Sequence, residues 1–231
     1  MPTALITGAS RGLGLEFATQ YAKAGWQVIA TCRDPGKADA LRALAGGSNG
    51  LVQIETLDVG DAAATRRLAG AVGKRPIDLM IANAGLYGSR DQGLKDLDDA
   101  EWGEVMRVNV MAPMRLAALL TDAVASSTGK QMAFVSSRLG SMASNEEGGG
   151  YVYRSSKAAL NAVVKSLSVD LKPRGITAVA LHPGWVRTDM GGPSAPIDAP
   201  TSVSGMVKVL ARLKPKDSGQ LIEYTGQVVP W

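Results

Sequence analysis

The feature that most constrains this chain is its rhythm. Short apolar runs alternate with longer segments of helical spacing along the whole sequence. Residues 4–7, 27–31, 51–57, 77–82, 131–136, 177–181 and 220–223 have the length and residue types of buried parallel strands. Helical spacing begins near Gly12, Pro35, Asp61, Asp98, Tyr153 and Ala199. A strand that is apolar on both faces needs cover on both faces, and right-handed crossover helices supply it. The expected architecture is therefore an α/β domain: a doubly wound parallel sheet of about seven strands with helices on both sides. Such a sheet takes ligands beyond the carboxyl ends of its strands. At 231 residues the chain suits one domain, 1–231, and no interior stretch reads as a linker.

Two segments break the alternation. Residues 138–150 are polar and glycine-rich, and residues 191–200 are rich in Gly, Pro and Ala. Both follow strands, so both are expected at the ligand-binding rim. Cys32 is the one cysteine, which excludes an intrachain disulfide framework. The net charge is +4 and the basic residues are scattered, so no nucleic-acid stripe is formed. The opening residues lack a basic n-region and cleavage site, and no run of about 18 apolar residues stands out as a membrane span. A cytoplasmic location without a membrane partner is expected.

Thr7-Gly8-Ala9-Ser10-Arg11-Gly12-Leu13-Gly14 follows the first strand and opens the first helix. Glycines let the backbone approach a pyrophosphate, and the helix N-terminus offers free N–H groups and a positive dipole end. The alternative is a merely tight strand–helix turn. At the end of the second strand stands Thr31-Cys32-Arg33. An acid there would accept from a ribose 2′-hydroxyl and repel a 2′-phosphate, whereas Arg33 and Arg11 suit a phosphate. The expected cofactor is NADP(H), with Asp34 a neighbouring charge of the wrong sign.

Tyr153 and Lys157 share one face at the start of a helix. An unperturbed tyrosine titrates near pH 10, too high for efficient proton transfer at neutral pH, and a neighbouring ammonium favours the phenolate. Phe134-Val135-Ser136-Ser137 closes a strand just upstream. Pro113 sits inside a helical segment expected over residues 98–126. It cannot donate to residue i−4, which is Asn109, and its ring crowds that carbonyl.

These motifs together resemble the short-chain dehydrogenase/reductase family, and the resemblance runs through almost the whole chain. It implies a Rossmann-type fold in which Gly8, Ser10, Arg11, Gly12, Leu13 and Gly14 hold the dinucleotide phosphates. It further implies cofactor contacts from Arg33, Asp58, Val59, Asn83, Ala84, Gly85, Tyr153 and Lys157. Ala82 departs from the family, which carries a first Asn before Asn83-Ala84-Gly85. In His182-Pro183-Gly184-Trp185-Val186-Arg187-Thr188, the matching Pro-Gly segment places Pro183, Gly184, Val186 and Thr188 at the nicotinamide carboxamide.

By the same resemblance Ser137 holds the substrate carbonyl, with Ser136 as the alternative, and Tyr153 is the general acid or base. Lys157 lowers the tyrosine pKa and bonds the ribose. The Asn109 carbonyl holds a water in a relay toward solvent. Asp58 equally suits a helix cap. His182, the one histidine, suits a structural strand end, and one His with one Cys makes no metal site.

Tyr-Arg-Ser-Ser-Lys-Ala-Ala-Leu-Asn at 153–161 and Gly-Trp-Val-Arg-Thr-Asp-Met-Gly-Gly-Pro at 184–193 are similar to carbonyl reductases related to sniffer and the bacterial C-factor proteins. That branch implies NADPH-linked reduction of small-molecule ketones, aldehydes or quinones. A second class is an NADP(H)-binding regulatory or signalling protein with little turnover. The substrate pocket is expected from loops 86–93, 138–150 and 191–200. The long helices at 98–126 and 153–172 are the family's usual faces for a homodimer or homotetramer.

Overall fold

The computed structural model describes residues 1–90, 92–95 and 97–231. Asp91, which falls inside the expected 86–93 pocket loop, lies outside the described residues. One sheet organises the chain. Its strands are β1 (Thr3–Ile6), β2 (Gln27–Cys32), β3 (Val52–Thr56), β4 (Leu79–Ala82), β5 (Gln131–Val135), β6 (Thr177–His182), β7 (Leu221–Glu223) and β8 (Val228–Val229). They lie in the order β3-β2-β1-β4-β5-β6-β7-β8. The first seven run parallel, and β8 pairs antiparallel with β7 through Leu221 opposite Val229.

The expected sheet is borne out, with one strand more than the periodicity predicts. A two-residue strand is too short to carry a pattern. It forms because the chain turns at Gly226 (φ +93°) and the Glu223 N–H donates to the Gln227 carbonyl at 2.8 Å.

Among the described residues, seven α-helices cover the sheet: α1 (Gly12–Lys23), α2 (Asp39–Gly46), α3 (Ala62–Val72), α4 (Asp99–Met106), α5 (Ala112–Ala125), α6 (Tyr151–Asp170) and α7 (Ala199–Leu210). On one face α1, α2 and α7 bury Phe17, Leu41 and Met206 against Ile6, Val28 and Ile81. On the other, α3, α5 and α6 bury Leu68, Leu120 and Val164 against Leu5, Met80 and Phe134. Strands apolar on both faces thus divide the core into two layers.

Side-chain caps fix the starts of α3, α4 and α7, the last through Asp198, which accepts from the Thr201 N–H at 2.8 Å. Asp61 accepts from the Ala63 N–H at 2.7 Å, and Asp98 accepts from Ala100 and Glu101 at 2.8 and 3.2 Å. The segment expected as one helix over 98–126 is interrupted by a π-helical stretch, Arg107–Met111. The missing N–H of Pro113 explains the widened turn just before it. By length and composition, Asp99–Ala125 is apolar enough to cross a membrane, contrary to the expectation that no such run exists. In the fold, Leu116, Ala117, Leu120 and Val124 on this run are buried in the core, which accounts for its apolar character.

Candidate active site

The sheet order reverses between β1 and β4, and the crevice of a doubly wound sheet opens at such a point. The glycine-rich turn after β1 lies there. Gly8 adopts φ +68°, and a side chain at Gly14 would run into the Gly8 carbonyl. The turn is therefore held against the start of α1 too closely for any other residue. It is tied to β4 from below. Thr7 Oγ1 accepts from the Asn83 and Ala84 N–H groups at 3.0 and 3.1 Å, while Asn83 Nδ2 donates to the Thr7 and Gly8 carbonyls at 2.9 and 3.2 Å. Among the cradle residues, Asn83 has a stated mechanical task.

Other cofactor candidates are distributed around this turn. The β-carbon direction of Gly12 points at Thr188, whose Cγ2 lies 3.5 Å from it, so the Pro183–Thr188 segment reaches over the mouth of the turn. Arg11 spans the same gap and pairs with Asp189 at 2.6 Å, both side chains more than 70% exposed. Cys32 is buried, and Arg33 beside it is exposed. Asp34 does not confront Arg33: it accepts from the Gly36 N–H at 2.9 Å and pairs with Lys37 at 3.4 Å. Asp58 accepts from the Gly60 N–H at 2.9 Å, closing its own turn, and the helix cap is Asp61 rather than Asp58. Val59 packs against the core. Ser202 Oγ donates to the Pro183 carbonyl at 2.6 Å, and Val186 bridges to Ile197.

The chemical centre lies one strand further along, where α6 passes the end of β5. Tyr153 and Lys157 do share a face of α6, and both are buried. The Ser137 hydroxyl, which accepts from the Leu139 N–H at 3.1 Å, lies close enough to the Tyr153 hydroxyl to act on its pKa. Ser136, the alternative, is buried behind them and donates to Asn161 Oδ1 at 2.6 Å. The geometry thus selects Ser137 as the serine that faces Tyr153.

Asn109 is reached through its side chain. Its Oδ1 accepts from the Leu86 N–H, and its Nδ2 donates to the Leu86 carbonyl, both at 2.8 Å, and to Ser156 Oγ at 3.0 Å. The β-carbon direction of Gly85 lies 3.1 Å from Asn109 Oδ1 and 3.7 Å from Lys157 Nζ, so a bare glycine is the partition between these two groups.

The electrostatics depart from the expectation that Lys157 lowers the tyrosine pKa. Lys157 Nζ donates to the Val135 carbonyl at 2.9 Å and lies 5.6 Å from the Tyr153 ring centroid. Burial dominates at both groups. It pushes the Tyr153 hydroxyl well above its ordinary value, against the smaller lowering influence of Ser137. It pushes the Lys157 ammonium down to about 8.

His182 stands apart from the catalytic groups. Burial lowers it to about 4 despite Glu223 at 3.7 Å, and its Nδ1 has no partner among the described residues. Glu223 also pairs with Arg138 at 3.2 Å, so His182 belongs to a structural cluster at the ends of β6 and β7.

The rim is apolar where the side chains face out. Met142 is 75% exposed and Trp185 57%, and Met190 is also exposed. Tyr87, in the loop expected to line the pocket, stacks on Tyr153 with ring centroids 4.5 Å apart. Gln92, Ser156 and Asn161 were missed. Asn161 had a signal, being four residues beyond Lys157 on the same face. Gln92, in a loop, had none.

A family model described as short chain dehydrogenase matches residues 2–197. The C-signal protein of Myxococcus xanthus is 45% identical over 156 residues, covering 68% of this chain and 93% of its own. The carbonyl reductase Sniffer of Drosophila melanogaster superposes with a TM-score of 0.91 at 35% identity, covering all of both chains. An NADPH-bound carbonyl reductase from chicken fatty liver gives 0.92 at 34% identity, covering 100% of this chain and 99% of the other. The glycine turn tied to β4, the buried tyrosine–serine pair and the family match over most of the length agree, and the chain belongs to the short-chain dehydrogenase/reductase family of oxidoreductases.

Proposed function

We propose that this chain uses NADPH to reduce the carbonyl of a ketone, aldehyde or quinone to an alcohol, reversibly, with Tyr153 as the proton donor. The observation that carries the reading is geometric. Tyr153 and Lys157 lie one helical turn apart on α6, both buried, with Ser137 at the adjoining end of β5 and Asn109 held by Leu86 and Ser156 beside them. A buried hydroxyl held in one place next to an ammonium is what a positioned proton donor requires.

The cradle fits the cofactor: Gly14 and Gly8 approach so closely that no β-carbon could stand between them. Gly8 to Gly14 would hold the phosphates, Arg33 the 2′-phosphate, and Thr188 the carboxamide. When bound, the dinucleotide supplies the hydride that goes to the carbonyl carbon. Ser137 Oγ orients the carbonyl oxygen toward Tyr153, and the tyrosine proton passes to that oxygen. Lys157, lowered to about 8, can exchange a proton near neutral pH and so reprotonate the tyrosine. The Asn109 carbonyl, to which Pro113 has no N–H to donate, would extend that path through a water.

A second reading follows from the 45% identity to the C-signal protein: an NADP(H)-binding signalling or regulatory role with little turnover. Incubation with NADPH and a panel of ketones, aldehydes and quinones separates the two. The proposal expects NADPH oxidation that depends on the carbonyl. Tight NADPH binding without oxidation across the panel would support the second reading.

A further inference from the structure

The first turn of α6 carries Tyr153, and its capping is unusual. Gly150, at the N-cap with φ +58°, offers no side chain to the helix. The first intrahelical bond is from the Arg154 N–H to the Gly150 carbonyl. The buried Tyr153 N–H is thus one of the orphan donors of a helix start, and such a group is costly to leave unpaired. Its partner comes from 61 residues away: Gln92 Oε1 accepts from it at 2.9 Å. Gln92 Nε2 donates to the Tyr87 and Ser89 carbonyls, both at 2.8 Å. One buried amide therefore joins the loop after β4 to the residue that carries the catalytic hydroxyl.

The same loop lays Tyr87 on the Tyr153 ring at an interplanar angle of 29°. The Arg90 guanidinium lies 5.9 Å from the Tyr87 centroid and donates to the Met190 carbonyl at 3.2 Å. A serine or aspartate at the N-cap would cap α6 locally. Importing the cap from this loop makes the seat of Tyr153 depend on the wall that carries Tyr87. Resting on the reductase reading, we infer that Gln92 is a positioning residue: it clamps the Tyr87 loop to the first turn of α6 and so fixes the plane of the Tyr153 ring for proton transfer.

The test uses Tyr87→Leu, Gln92→Leu, their combination, and Gln92→Glu, which keeps the acceptor for the Tyr153 N–H but loses both donors to the loop. Misplacement of a catalytic group by about 1 Å costs on the order of 100-fold. Each single variant is expected to lower kcat by about 10- to 100-fold, with KM for NADPH within about twofold of wild type. Because the two residues act through one seat, the double variant should be no slower than the worse single. Gln92→Glu should lose kcat like Gln92→Leu, which separates clamping from capping.

Multiplying losses, or a change confined to KM for the carbonyl, would overturn the inference. If Gln92→Leu does not fold, Tyr87→Leu, at a half-buried site, still decides through kcat. Near-ultraviolet circular dichroism of the stacked tyrosines is read in parallel and needs no turnover. Loss of that signal in Gln92→Glu supports the clamp even where the wild type reduces nothing, and its retention refutes it.

Discussion

At the glycine-rich turn the chain presents mostly backbone to its ligand. At Tyr153, two strands over beside β5, it presents buried polar side chains braced by residues from three other segments. The turn is shaped by φ values at glycines and by Thr7 and Asn83, which hold main chain to main chain. Its charged candidates, Arg11 and Arg33, stand in solvent. The catalytic end buries Lys157, Asn109, Gln92 and Ser156 with most of their polar atoms engaged. The contrast follows from the two tasks. Binding a flexible polyanion needs N–H groups and charge, whereas proton transfer needs an acid held in one orientation in a water-poor site. Substitutions at the two ends should differ accordingly in size, and in whether they disturb stability.

Lys157→Met tests the buried end with the largest expected effect. Turnover should fall by about 10²–10⁴-fold, the usual contribution of a proton-transfer group. The fold should become more stable. Since the Lys157 pKa drops to about 8 from its ordinary 10.5, the folded state disfavours its charge, and wild-type stability rises as pH climbs between those values. Met should remove that slope and raise Tm at pH 7 by a few degrees. A lower Tm in a thermal melt would contradict this.

His182 probes the same end without touching the chemistry. Its pKa falls from 6.5 to about 4 on folding, so the neutral form is favoured and its contribution is lost as pH drops through that window. Melts of His182→Gln should be flatter between pH 6.5 and 4 than those of wild type, with kcat kept within about threefold.

At the exposed end effects should be smaller and confined to the cofactor. Arg33→Ala is expected to raise KM for NADPH about tenfold and leave NADH unchanged, the loss of roughly one charge-assisted contact. Unchanged discrimination would sharpen attention on Arg11. Smallest is Asp189→Asn. It frees Arg11 from an exposed pair worth under about 1 kcal/mol, so NADPH affinity should improve by about threefold or less. A titration showing weaker binding would mean that Asp189 holds the site in shape.

The sequence carried the exposed end almost completely, because glycine spacing and a strand–helix alternation are written in consecutive residues. The doubly wound sheet and the turn were legible for that reason, and the four-residue spacing of Tyr153 and Lys157 put them on one face; the preference for Ser137 over Ser136 rested on the family resemblance alone. What was not legible depends on contacts between distant segments. Gln92 has no periodic setting, and its role exists only once the loop after β4 meets α6. The direction of the Tyr153 pKa was not legible either: an ammonium one helical turn away suggests a lowering, while burial in the folded chain raises it. The β8 strand and the π-helical stretch at Arg107–Met111 were local, yet too short or too subtle for periodicity, although Pro113 marked where the second would fall.

The central claim is that Tyr153 delivers the proton, and Tyr153→Phe tests it most directly because it removes one oxygen from a ring that stays packed. NADPH oxidation should be followed with a carbonyl that wild type reduces, with NADPH binding measured on the same sample. The account predicts a loss of about 10²–10⁴-fold in kcat with NADPH affinity within about twofold of wild type. Turnover retained within tenfold would contradict it and place the proton on another group.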